Sequence, residues 1–456
     1  MSSWYETTLT GWGRTGLSTS EVNDLHSVIE LLAMFDTRPQ VLARGLGRSY
    51  GDAALNTGRA IFRTAGLERA VEFDHDTGHF TCEAGLSLAD LIRIVLPAGW
   101  FLPVTPGTRQ VTVGGCVAAD VHGKNHLNSG TISRHVLWLD LLTAGGEIIR
   151  CSAEENSDLF HATTGGMGLT GVILRVAMRL RKAETSFMKV NRLRTANLAE
   201  TMNALTIADE IWESSVAWID GLSYGQELGR GEVILGHHAK QEDLTFKLSV
   251  EPHRMPDESR LSIPFDFPLN VLRQSWLRVF NSHRFKRITT GESMEDIWQF
   301  HYPLDALNGW NRLYGPLGFH QYQFVIPDQG AESFMGYALK RLQNVQESPV
   351  LVVLKRFGAG AGWLSFPIPG WTMAVDLPYS PRLFDVLEKL DKRVVTLGGR
   401  VYLAKDERVL PKHFREMYPD IERWLEVKRN VDPTCRFTSD LSRRLLIDQE
   451  IMGSRP

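Results

Sequence analysis

Four side chains combine a titratable group with surroundings that could tune it for proton transfer near neutral pH. His122 and Lys124 stand in His122-Gly-Lys-Asn-His126. Lys355 stands in Val352-Val-Leu-Lys-Arg-Phe-Gly358, and Lys405 in Tyr402-Leu-Ala-Lys-Asp-Glu-Arg408. An imidazole starts near neutrality, and a lysine is brought there by desolvation or a cationic neighbour. The bland alternatives are a structural histidine among glycines and a solvated surface lysine. The apolar residues around Lys355 and Lys405 argue against the second.

Three glycine segments could hold a phosphate-bearing group. The first is Arg44-Gly45-Leu46-Gly47-Arg48-Ser49-Tyr50-Gly51-Asp52, where bared amides make a nest for phosphate oxygens and Ser49 adds a hydroxyl. The second is Pro106–Gly115, closely followed by Asp120 and His122, and the third is Gly165–Gly171. None is a Walker A loop. The GxGxxG of Gly166, Gly168 and Gly171 follows a helical stretch (157–163) and opens a strand (172–180), the reverse of a dinucleotide fingerprint. A nicotinamide dehydrogenase is therefore the minority reading.

The elements around these residues alternate short strands, helices and glycine turns over 1–183. Helical spacing runs over 86–98 with Ser87 as N-cap, and apolar, branched runs at 136–143 and 172–180 predict buried strands. The pairs Gly114-Gly115 and Gly165-Gly166 mark sharp turns or close backbone approach. From about Thr185 the chain becomes aromatic and strand-rich, and from Arg400 helical again. The stretch 271–287 interleaves Leu272, Trp276, Leu277, Val279 and Phe280 with Arg273, Arg278, Arg284, Lys286 and Arg287, without an acid. It reads either as a lid or interfacial helix for anionic lipid, or as an ordinary surface helix.

With 456 residues the chain is too long for one compact core. A net charge of -3 gives no reason to expect nucleic acid as a partner. Cys82, Cys116, Cys151 and Cys435 form no metal-ligating cluster and read as buried free thiols. Neither a signal peptide nor a membrane span is recognisable. The expected location is the cytoplasm, or the periphery of the inner membrane on its inner or periplasmic face.

The ordered motifs RGLGRSYGD (44–52), TPGTRQVTVGG (105–115), HGKNH (122–126), GGMGLTG (165–171), GWNRLYGPLGF (309–319), QYQFVIP (321–327), LSFPIPGW (364–371) and AKDER (404–408) resemble those of the decaprenylphosphoryl-β-D-ribose 2′-oxidases. That family lies within the vanillyl-alcohol-oxidase, or PCMH-type, FAD superfamily. The resemblance covers nearly the whole chain. It implies an α+β fold: a two-subdomain FAD-binding domain (1–184), a substrate-binding domain with an antiparallel sheet (185–399, mobile at about 253–290), and a C-terminal segment (400–456) returning to complete the FAD domain.

The resemblance implies FAD with its diphosphate in the 44–52 loop. Its ring would lie against Gly107, Thr112, Val113, Gly114, Gly115, Ala119, Asp120, His122, Gly168, Ile173 and Tyr402. Where many relatives carry a histidine bonded to the flavin, this chain has Arg48, which implies non-covalent FAD. The protein would oxidise the 2′-hydroxyl of a polyprenyl-phospho-ribose to a 2-keto sugar, with a separate short-chain reductase completing epimerisation. Lys405, His122 and Tyr50 are the catalytic candidates, Lys405 being favoured as base or orienting donor. Lys124, Trp218, Tyr314, Gln321, Gln323, Lys355, Thr372, Ala374 and Lys405 are the substrate-pocket candidates. Ala374 stands where mycobacterial members carry a cysteine, and Thr372 replaces their usual asparagine. Oxidation of a soluble alditol or aldonolactone, and an inactive scaffold, are the alternatives. Oxygen, a quinone or a carrier protein are open as electron acceptors.

Overall fold

The computed structural model describes residues 3–259, 261–344 and 349–453. Three large sheets, beside a two-stranded one (Trp100–Phe101 with Arg181–Lys182), organise them. A four-stranded sheet, in the order Tyr5–Leu9, Ser18–Asp24, Ala60–Arg63, Val41–Arg44, is parallel except for its first pair. A five-stranded antiparallel sheet follows, in the order Ala70–Phe73, His79–Glu83, Val172–Arg179, Val136–Leu142, Ile148–Cys151. Its central strand, Val172–Arg179, is buried along most of its length, as its apolar residues on either side of Arg175 require. Ser87 caps the helix Leu88–Val95, its side chain accepting from the Asp90 amide at 3.0 Å. Together the helices and sheets make an α+β fold.

Gly114 and Gly115 lie in the first turn of the helix Val113–Ala118 rather than in a loop. A Cβ on Gly114 would sit 2.8 Å from that of Ala84, so this glycine lets the helix pack closely against the segment that leaves the strand His79–Glu83.

The third sheet has eight antiparallel strands. At its centre Leu351–Phe357 pairs with Gly370–Pro378, which pairs with Phe319–Ile326. Register puts Leu351, Val353 and Lys355, then Thr372, Ala374 and Asp376, then Gln321 and Gln323, on one face. The alternate residues, among them Tyr322, Phe324, Met373, Val375 and Leu354, face the opposite side. They join Phe334, Leu339, Leu383 and Leu387 in the largest core cluster, beneath the helices Ala331–Gln343 and Pro381–Thr396. One face of the sheet thus anchors the fold, and the other is left for chemistry.

The C-terminal segment does two jobs. Arg400–Val401 first extends the large sheet by pairing with Phe324 and Val325. The chain then makes the 3-10 turn Leu403–Lys405 and crosses to the N-terminal half. There the Val41 amide donates to Arg436 O at 2.8 Å and the Thr438 amide to Val41 O at 3.2 Å. Lys428, fully buried, pairs with Asp432 and donates to Leu169 O and Phe437 O.

Candidate active site

A cleft runs from the glycine loop to the free face of the large sheet. At its start the Val41–Arg44 strand ends and the chain turns through Gly45–Ser49. Among the described residues, no acceptor is present for the amides of Gly45 to Ser49, whereas the Tyr50 amide is already bonded to Ala404 O at 2.9 Å. Arg44 braces the loop from behind, donating to Ala54 O at 2.7 Å and Thr10 O at 2.8 Å. Gly47 has φ +65°, and a Cβ there would meet that guanidinium at 2.3 Å. A Cβ on Gly45 would strike Thr112 Oγ1 at the same distance. The Arg48 guanidinium stacks on Trp12 at 3.9 Å, and its buried Nε has no partner.

The cleft continues past Gly107, Thr112, Gly114, Gly115, Ala119, His122, Gly168, Ile173 and Tyr402. Cβ atoms built on Gly107 and Gly168 would meet no protein atom within 4 Å, so these glycines open onto free space. Free amides at one end and a slot walled by glycine and small residues at the other fit a phosphate-bearing, flat-ringed cofactor.

The far end is polar and cationic. Gln321, Gln323, Lys355, Ala374 and Lys405 line it together with Tyr50. Lys405 Nζ stands 3.5 Å from the centre of the Tyr50 ring. Desolvation lowers Lys405 from its ordinary value, against the opposing charge of Asp376 and with that of Lys355. Burial brings Lys355 down to about 8. Burial likewise lowers His122 well below its ordinary value, helped by Lys355, His126 and Lys405, so its ring stays neutral. Its Nε2 lies 3.2 Å from Gln323 Nε2, and its buried Nδ1 has no partner.

Several residues expected in the site stand behind its lining. Asp52 forks onto Arg444 at 2.7 and 3.0 Å, anchoring the loop to the C-terminal segment. Gly51 packs under Asp406, where a Cβ would meet the carbonyl oxygen at 2.0 Å. Val113 is buried in its helix. Asp120, at φ +41°, accepts from Ser133 Oγ at 2.6 Å and from Ser365. Tyr314 stacks on Phe319 at 4.1 Å and Thr372 Oγ1 faces Gln323. Trp218 is covered by the Arg284 guanidinium at 4.1 Å. Lys124 donates to Phe300 O, and burial with the charge of Lys355 lowers it to about 7.

Sequence reasoning did not single out Asp305 or Asp376. Asp305 accepts from Thr108 Oγ1 at 2.7 Å and from the Arg109 amide at 2.9 Å, fixing the Pro106–Gln110 wall. The four cysteines are buried, and burial pushes the Cys82 and Cys116 thiols far up. Among the described residues no group of His, Cys, Asp or Glu could hold a metal ion.

The fold and this cleft, together with the similarities that follow, define an FAD-dependent oxidoreductase acting on a sugar hydroxyl. Residues 20–152 match the family model described as "FAD binding domain". The chain is 39% identical over 454 residues to a decaprenylphosphoryl-beta-D-ribose oxidase of Mycolicibacterium smegmatis, covering 96% of this chain and 97% of that protein. It is 36% identical to an uncharacterized protein in the mprA 5′ region of Streptomyces coelicolor, over 79% of this chain and all of that one. Likeness to L-gulonolactone oxidase of Bos taurus is 31% and covers 35% of this chain and 36% of that enzyme. The chain belongs to the decaprenylphosphoryl-β-D-ribose oxidase family.

Proposed function

We propose that this protein oxidises the ribose 2′-hydroxyl of a polyprenyl-phospho-β-D-ribose to the 2-keto sugar. The observation that carries the reading is the cleft itself. Free amides at Gly45–Ser49 open one end, and at the other Lys405 and His122 line the cleft with Lys355 of the large sheet's free face. FAD, when bound, supplies the two-electron acceptor for the carbinol hydrogen. The Gly45–Ser49 amides would hold its diphosphate, and the glycine-walled slot its ring. Arg48 offers no nucleophilic ring nitrogen, so the cofactor is held by contacts alone.

Lys405 takes the hydroxyl proton. Its lowered pKa leaves a neutral amine accessible near pH 7, and the Tyr50 ring face steadies the ammonium that results. Neutral His122 and Gln323 orient the sugar. Lys355, with Lys124 behind it, supplies positive charge for the substrate phosphate. Ala374 contributes only space at the centre of the sheet face, so no thiol acts from that position.

Partners follow from this reading. A short-chain reductase would consume the 2-keto product. The helix Gln274–Lys286 exposes Trp276 (72%), Val279 (67%) and Phe280 (56%) beside Arg273, Arg278, Lys286 and Arg287, which suits an anionic lipid surface carrying the substrate. No described helix is long and apolar enough to cross a membrane.

The test is anaerobic reduction. Purified protein is mixed with a farnesyl-phospho-ribose analogue, then with xylitol or gulonolactone, while the flavin absorbance is followed. Bleaching by the lipid-phosphate sugar is expected; bleaching by the polyol alone would sink this reading. Acid precipitation should release the yellow colour into the supernatant.

A further inference from the structure

The three side chains that follow Lys405 each bind a different part of the fold. Asp406 pairs with Arg444 of the C-terminal segment at 2.9 Å. Glu407 pairs with His320 Nδ1 at 2.7 Å and accepts from Thr15 Oγ1 at 2.6 Å. Arg408 turns into the core, where its guanidinium forks onto Asp391. Its Nη2 donates to Oδ1 at 2.9 Å and its Nη1 to Oδ2.

Asp391 lies on the helix Pro381–Thr396 and is 1% exposed. Its Oδ1 also accepts from the Tyr322 hydroxyl at 2.9 Å, and the Arg408 guanidinium stands 5.0 Å from the centre of the Tyr322 ring. Tyr322 is the residue between Gln321 and Gln323 on the strand Phe319–Ile326. Its side chain enters the core cluster, while theirs line the cleft. One buried carboxylate therefore grips both the strand that carries the two glutamines and the turn that carries Lys405. Before the lysine, backbone bonds tie the turn: the Tyr402 amide donates to Gln323 O at 3.0 Å and the Tyr50 amide to Ala404 O at 2.9 Å. After it, the Arg408–Asp391 fork ties the turn back to the same strand through Tyr322. A guanidinium–carboxylate fork fixes angle as well as distance, a gain in geometry that the desolvation of two buried charges does not give in stability.

We propose that Asp391 is a positioning residue for the oxidation. Set behind the cleft, it holds Lys405 over the Tyr50 ring and in register with Gln321 and Gln323. This rests on the reading of Lys405 as the proton-handling group.

Asp391→Asn tests this, because it keeps the volume and an acceptor for Tyr322 while weakening the fork. Lys405 is observed without substrate, by NMR of holoprotein labelled with 13C at the lysine ε-carbon, its signal assigned by its loss in Lys405→Ala. The ring current of Tyr50 shields that carbon and its protons in the wild type. In Asp391→Asn the signal should move toward those of exposed lysines. Anaerobic reduction by the farnesyl-phospho-ribose analogue should slow by about 10- to 100-fold with KM little changed, the scale of a small misplacement of a reacting group. In a Lys405→Ala background the same substitution should slow the residual reduction no further, because residues that act as one unit are not additive. An unmoved Lys405 signal overturns the proposal, and so does an equal slowing in the two backgrounds. A moved signal in protein that no sugar reduces would instead overturn the proposed substrate and leave Asp391 in place. If Asp391→Asn does not hold FAD, Arg408→Lys keeps the buried charge paired but cannot fork. The Lys405 signal should move the same way in that variant, and an unmoved signal there overturns the proposal equally.

Discussion

Lys405 and Tyr50 lie 355 positions apart in sequence, yet the lysine ammonium rests 3.5 Å from the centre of the tyrosine ring. The Tyr50 amide is bonded to Ala404 O at 2.9 Å, so the glycine loop and the lysine turn are one mechanical unit. Lys405→Ala should keep the yellow colour and lose substrate reduction by about 100-fold or more, the usual scale for a general base. Normal anaerobic bleaching in that variant would remove Lys405 from the mechanism.

Gly47→Val should cost the protein its flavin. The new Cβ lands 2.3 Å from the Arg44 guanidinium at a φ of +65°, so the brace behind the free amides must move. The ratio of flavin to protein absorbance after purification checks this. Full occupancy would place the diphosphate elsewhere.

The pH dependence of anion binding follows from Lys355. Its pKa falls from 10.5 to about 8, so its charge is present below pH 8 and lost above it. The KM for a phosphorylated substrate should therefore rise as pH passes through about 8, while that for a neutral sugar should not. Lys355→Met should abolish the difference. The same depressed value means folded protein binds fewer protons than unfolded chain between pH 8 and 10.5, so Lys355 makes stability rise with pH across that window.

Arg444→Ala should destabilise more than a surface change. It strands the carboxylates of Asp52 and Asp406, which the guanidinium now bridges. Removing one partner from a buried ion pair costs about 3–5 kcal/mol, so a clear fall in Tm and weaker flavin retention are expected. A melting curve like that of the wild type would show that the loop is held by other means.

Trp276→Ala with Phe280→Ala should reduce flotation with vesicles containing an anionic phospholipid, and salt should weaken what binding remains. The bleaching rate with a short, water-soluble substrate analogue should be unchanged. Equal flotation of variant and wild type would assign the helix to another surface.

The parts of this fold carried by local patterns were legible in the sequence. Ser87 capped a helix as read, and the runs at 136–143 and 172–180 became paired strands, because capping and side-chain alternation are local properties. The glycine loop announced itself by composition. What depends on distant pairing did not. Asp376 looks like one charge in an apolar strand until register sets it beside Gln321. Asp52 and Asp120 read as cofactor contacts, yet each is consumed by a partner far along the chain, Arg444 and Ser365. Trp218 was expected at the pocket, and only tertiary packing shows Arg284 stacked across it.

Ala374 and the buried thiols have a consequence for durability. Oxidation by hydrogen peroxide needs a thiolate, and neither Cys82 nor Cys116 ionises in its buried setting. Methyl carbon occupies the centre of the sheet face where a sulfur would be exposed to whatever reoxidises the cofactor. Electrophiles that depend on a nucleophilic sulfur at that position have nothing to bond.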